Sequence, residues 1–151
     1  MQVLLQRASE ASVTVDRVVV GQIEQGLVVL LCAEHGDVDT TAARMLNKIL
    51  KLRIFADENG KMNRSVQDVG GALLIVSQFT LAADTSKGTR PSFVRAAAPE
   101  QARHLYDGFV ALAQQTGLYI QTGIFAADMK VALINDGPVT IPLTISPAEH
   151  I

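Results

Sequence analysis

Along the first part of the chain, polar and apolar positions alternate with period two. Ala11, Val13 and Val15 are separated by Ser12, Thr14 and Asp16, the pattern of a strand with one buried face. A short apolar run at 3–6 precedes it, and 18–23 follows a polar break as its hairpin partner. Residues 27–33 are apolar throughout, which predicts a strand covered on both faces. From 38 the period becomes helical. Val38, Ala42, Met45, Leu46 and Ile49 share one side of a helix predicted over 38–51, and Asp37 stands where an N-cap would be. The opposite side carries Arg44, Lys48 and Lys51, read first as a solvated face and only second as an RNA patch.

Strand patterning resumes at 53–55, ahead of the turn signal Asp57-Glu58-Asn59-Gly60. It returns at 72–76, which runs directly into Ser77-Gln78-Phe79-Thr80-Leu81. Residues 83–99 form a polar loop punctuated by Gly88 and Pro91, long enough to suggest a function of its own. A second helix begins near Pro99, with Ala102, Leu105, Tyr106, Phe109, Val110 and Ala113 as its apolar stripe and Gly117 as its stop. Strands at 118–122 and 129–134, a turn at 135–138 and a last strand at 139–144 complete the chain. Strands and helices do not alternate regularly. The pattern therefore predicts a single α+β domain over 1–151, a curved antiparallel or mixed sheet or barrel-like core with two main helices.

Composition narrows the chemistry. Nearly half of the 151 residues are apolar, enough for a sizeable core. The formal net charge of -2 lacks the basic excess of a general nucleic-acid binder, so any RNA contact must be local. A lone cysteine, Cys32, excludes an internal disulfide and a multi-cysteine zinc site, reads as a small buried hydrophobe, and fits a reducing cytoplasm. No basic leader precedes an apolar segment, and the longest apolar run is too short for a bilayer. Phosphate-loop, dinucleotide and Gly-x-Ser-x-Gly signatures are missing, and His35, His104 and His150 lack metal-ligand spacing.

Two segments remain as candidate chemistry. Ser77-Gln78-Phe79-Thr80 ends a buried strand, where its polar groups either bind local backbone or face a ligand. Asn135-Asp136-Gly137-Pro138-Val139-Thr140 reads on its own as a hairpin turn. Together they resemble the two signature motifs of the D-aminoacyl-tRNA deacylase family. Gln6-Arg7, Ala11-Ser12-Val13-Thr14-Val15, Leu52-Arg53-Ile54-Phe55, Gly60-Lys61-Met62-Asn63, Arg90-Pro91-Ser92-Phe93 and Ala127-Asp128-Met129 resemble it in the same order, so the likeness spans the chain. The chain departs at Ala126, where glycine is common, and at Arg64, where an aliphatic residue is.

The resemblance implies a cytoplasmic homodimer, without metal or other cofactor, that hydrolyses the ester at the 3′ acceptor end of D-aminoacyl-tRNA. Neither a membrane nor DNA is an expected partner. It implies a cis Gly137-Pro138 bond projecting into the partner subunit's cavity, where it fills the space an L side chain needs and lets D residues and glycine pass. Thr80 then acts as nucleophile, or positions substrate while the RNA 2′-hydroxyl assists, with backbone N–H groups at Phe79 and Thr80 as oxyanion donors. Ser77 and Gln78 shape the pocket, and Phe79, Phe125 and Met129 contact the adenine. Without the likeness, Phe125 and Met129 read as core. Arg7 is expected to hold the partner's Gly137-Pro138 carbonyls, and Lys87, Arg90 and Arg95 are the candidates for phosphate contact.

Overall fold

In the computed structural model, which describes residues 1–147, the two N-terminal strands expected from the pattern are a single one. β1 runs Gln2–Val15, and its two halves pair with different neighbours along one edge. The first half is antiparallel to β3 (Gly26–Cys32), from Gln2↔Cys32 to Ala8↔Gly26. The second half forms the expected hairpin with β2 (Val18–Ile23). The far edge of β1 belongs to β8 (Lys130–Thr144), antiparallel from Gln2↔Thr144 to Thr14↔Lys130. β3 continues the sheet through β6 (Ala72–Ser77), parallel to it, and β6 in turn pairs in parallel with β7 (Ile120–Thr122). Gln22 N–H donates to Gln121 Oε1 at 3.3 Å, so β2 curls over to β7 and the mixed sheet nearly closes. A separate small hairpin pairs β4 (Phe55–Ala56) with β5 (Met62–Arg64).

The parity of β1 explains how one strand serves two cores. Val3 and Leu5 face the helices, joining Leu27, Val29 and Leu31 of β3 and Leu73 and Ile75 of β6. Onto this face pack α1 (Asp39–Lys51), through Met45 and Ile49, and α2 (Pro99–Gln114), through Leu105 and Phe109. Ala8, Ala11 and Val13 instead line the hollow of the sheet with Val28, Leu74 and Val76. The change from odd to even and back needs one extra residue. The register with β8 supplies it, since Ala8↔Asn135 is followed by Glu10↔Ile134 and Ser9 is left over. A bulge turns every later side chain to the opposite face.

Two expectations are corrected here. Asp37 does not cap α1. It is buried against the Met1 ammonium at 2.8 Å, both side chains being fully covered, and it also accepts the Glu34 N–H at 2.7 Å. A buried ammonium needs a counter-charge more than an exposed helix end needs a cap. Val38 takes the N-cap place, donating its N–H to Thr41 Oγ1 at 3.1 Å. Nor is there a hairpin turn at 135–138, because β8 passes straight through it. Between Gln6↔Thr140 and Ala8↔Asn135, two steps on β1 face five on β8, so three extra residues are pushed outward. Asn135 ties off the base of this protrusion. Its Oδ1 accepts the Val139 N–H at 2.8 Å and its Nδ2 donates to Thr140 Oγ1 at 2.9 Å. The Gly137-Pro138 bond at the tip is cis, as the resemblance implies.

His150 lies outside the described residues. Among the described residues, no helix is long and apolar enough to cross a membrane.

Candidate active site

The parallel part of the sheet positions the site. β3 and β6 end side by side, and at their carboxyl ends a cavity of about 790 Å³ opens under the first turn of α2. Such strand ends are where parallel sheets ordinarily receive ligands. Ser77, Gln78 and Phe79 form one wall, and Phe125 and Met129 another. Five residues singled out from the sequence, from segments nearly fifty positions apart, are therefore brought together.

Local hydrogen bonding shapes the Ser77–Thr80 segment. Gln78 N–H donates to Leu31 O at 2.8 Å, extending the β3–β6 ladder by one bond. The chain then tightens into a 3₁₀ turn over Phe79–Ala82 rather than continuing as strand. The first N–H groups of such a turn point away from it without an intrahelical acceptor. Those of Phe79 and Thr80 have no hydrogen-bond acceptor among the described residues. Thr80 stands just beyond the cavity wall and is exposed, its hydroxyl accepting from the Gln78 side-chain amide. Phe79 is held edge-on against Phe93, ring centroids 5.1 Å apart at 72°.

The cavity contains ionisable groups, but none is arranged as a nucleophile with its base. Burial, helped by the Glu34 charge, raises the Cys32 thiol from 9.0 to about 11. Burial likewise raises the Tyr106 phenol to about 12, and its hydroxyl donates to Ile75 O at 3.0 Å. Both stay protonated at neutral pH. Asp128 lies at the rim, exposed and paired with Lys130 at 3.1 Å. His35 also borders the cavity, fixed through its backbone N–H to Arg95 O at 3.0 Å. Among the described residues, no group of three or more His, Cys, Asp or Glu is placed to hold a metal ion.

Other residues selected from sequence lie apart from this cavity. Gly137 and Pro138 are exposed at the tip of the β8 protrusion and do not line it. Arg7 was expected against a partner's carbonyls. Within its own chain it donates Nε–H to Asp136 O at 2.8 Å and Nη1–H to Ile54 O at 2.7 Å, bracing the protrusion. Lys87 and Arg90 are exposed at the tip of a loop closed by the Asp84–Ser92 backbone pair, and Arg95 is exposed nearer the mouth. The cavity is also lined by His35, Phe93, Tyr106 and Asp128, which sequence reasoning did not select as site residues. Tyr106 was hidden in the apolar stripe of α2, where its hydroxyl was the only signal. Phe93 and Asp128 sit in segments noted for their family likeness, without a role assigned.

The D-Tyr-tRNA(Tyr) deacylase family profile matches residues 4–144. The chain belongs to this family. It is 63% identical to the D-aminoacyl-tRNA deacylase of Paracidovorax citrulli, over 97% of this chain and 95% of that one. Against the D-aminoacyl-tRNA deacylase of Azoarcus sp. the identity is 58% over 99% of both. Among solved structures, the c-Myc DNA Unwinding Element Binding Protein superposes with a TM-score of 0.90 at 42% identity, covering 98% of this chain and all of that one. A probable eukaryotic D-amino acid tRNA deacylase shares the fold, with a TM-score of 0.81 at 17% identity over 95% and 98% of the two chains. As a deacylase of this family the chain is an enzyme, a hydrolase acting on ester bonds.

Proposed function

We propose that the chain hydrolyses the ester linking a D-amino acid, or glycine, to the 3′-terminal adenosine of tRNA, and that it works in the cytoplasm as a homodimer. The observation that carries this reading is the pair of free N–H groups at Phe79 and Thr80, set at the rim of a cavity without a nucleophile–base pair. Such donors suit the oxyanion of a tetrahedral ester intermediate. The missing base is supplied by the substrate, whose terminal 2′-hydroxyl positions or activates the attacking water. Phe79, Phe125 and Met129 receive the adenine, the aromatic rings by stacking.

Chirality is read by the Gly137–Pro138 segment of a second copy. Two features support this. The segment is held out from its own subunit by the Asn135 bonds and the Arg7 brace, and it takes no part in its own subunit's cavity. Main chain held this way rejects an L side chain by filling its space and cannot swing aside as a side chain could.

Deacylation of D-tyrosyl-, L-tyrosyl- and glycyl-tRNA, measured side by side, tests the specificity. Release from the first and third with the second spared is expected, and equal release of D- and L-tyrosine would refute it. One further substrate and one variant separate the mechanisms. A terminal 2′-deoxyadenosine should abolish turnover, whereas Thr80→Ala should keep kcat within about tenfold, ~1.4 kcal/mol in the barrier. The opposite pair of outcomes would make Thr80 the nucleophile.

A further inference from the structure

The brace that holds the β8 protrusion also brings another segment to it. Arg7 binds Asp136 O with one arm and Ile54 O with the other, so the protrusion and the residues just after α1 are pinned to the same guanidinium. Arg53 immediately precedes Ile54, and Lys51 and Lys48 occupy the last turn of α1. All three side chains are exposed, and among the described residues none takes part in an ion pair or a side-chain hydrogen bond. Two of the neighbouring carboxylates are otherwise engaged. Asp57 accepts the N–H groups of Asn59 and Lys61 in its own turn, and Asp136 lies 3.8 Å from Arg7 Nε. Glu58 is exposed on that same turn. Three unpaired cations gathered at one place on a chain of net charge -2 mark a local anion-binding surface.

We propose that Lys48, Lys51 and Arg53 of one subunit contact the RNA backbone of the substrate held in the other subunit's cavity. The inference rests on the cross-subunit reading of Gly137–Pro138. When that segment enters a second copy's cavity, the cations pinned beside it are carried to the mouth of that cavity. There the phosphodiesters leading away from the terminal adenosine emerge. The subunit that reads chirality thus also grips the strand, and both tasks depend on one arginine. Phosphate contacts of this kind position the end without reading sequence.

The test uses the triple variant Lys48→Gln, Lys51→Gln, Arg53→Gln with two substrates, D-tyrosyl-tRNA and D-tyrosyl-adenosine. For the tRNA, KM should rise about tenfold at unchanged kcat, and the salt dependence of log(kcat/KM) should flatten by about 0.7 per cation removed. Hydrolysis of D-tyrosyl-adenosine, which has no phosphodiester, should not change. An unaltered KM for tRNA, or equal loss on both substrates, overturns the proposal. Mixed dimers then test the geometry. The triple variant is paired with a copy whose cavity is blocked by Ala96→Trp and which is inactive on the small substrate as a homodimer. The only live cavity then receives native cations from the blocked copy, so KM for tRNA should return to the wild-type value. A KM like that of the triple-variant homodimer shows the cations acting on their own cavity and overturns the trans arrangement. Failure of the chirality reading itself is separate, seen as loss of D/L discrimination by the wild-type enzyme on the small substrate.

Discussion

Replacing Asp37 by Asn should cost more stability than any other single polar change near the site. The carboxylate sits 2.8 Å from the Met1 ammonium with both side chains fully covered, and the ammonium also donates to Ile145 O at 2.8 Å. Removing one member of a buried ion pair leaves the other charge uncompensated, at about 3–5 kcal/mol. Asparagine keeps the shape and one oxygen, so the bond from the Glu34 N–H at 2.7 Å can persist, a saving of about 1 kcal/mol. The expected loss is therefore about 3 kcal/mol. At roughly 2–4 °C per kcal/mol for a chain of this size, the midpoint should fall by about 6–12 °C. Urea unfolding followed by circular dichroism, at a fixed protein concentration so that association does not confound it, measures the change. A loss below about 1 kcal/mol would mean that water or the chain relieves the ammonium, and the buried-pair argument would fail.

Tyr106→Phe removes the buried bond to Ile75 O and should cost about 1 kcal/mol, read from the same unfolding curves, with a neutral result refuting it. Cys32, with its thiol near 11, should react with iodoacetamide far more slowly than a free cysteine at pH 7, where roughly 10⁻⁴ of it is thiolate; labelling as fast as glutathione would contradict this. Cys32 and Tyr106 also set the alkaline limit. Both are held protonated above their ordinary values of 9.0 and 10.0, so the unfolded chain ionises first. Their stabilisation is intact below pH 9 and is lost as pH rises through about 11 for the thiol and about 12 for the phenol. A urea midpoint that climbed over that range would refute the assignment.

Periodicity revealed the elements that bury one face. α2 begins at Pro99 and presents the stripe Leu105, Tyr106, Phe109 and Ala113, and β3 is covered on both sides as an unbroken apolar run should be. It failed where an element changes face. Residues 7–10 read as a gap between strands, yet they are continuous strand with a bulge, and the bulge is what exposes Ser9 and Glu10. Asn135–Pro138 carries the residues of a turn because they build a protrusion, and local chemistry cannot distinguish a strand that bulges from one that reverses. Asp37 looked like a cap since its true partner, the Met1 ammonium, is thirty-six residues away. At the site, residues with unusual local composition were visible, while Tyr106 and His35 were not, because their relevance arises only when distant segments meet.

The pairing of β1 with β8 has a consequence for when the enzyme becomes complete. Gln6, Arg7 and Ala8 precede the segment whose position they dictate by well over a hundred residues, Arg7 and Asp136 being 129 positions apart. Sequence-distant pairings of this kind are the slow part of folding. A nascent chain therefore carries the Ser77–Phe79 wall of the cavity before the segment around Gly137 and Pro138 is made, so that under the proposed reading discrimination arrives later than the first wall of the pocket.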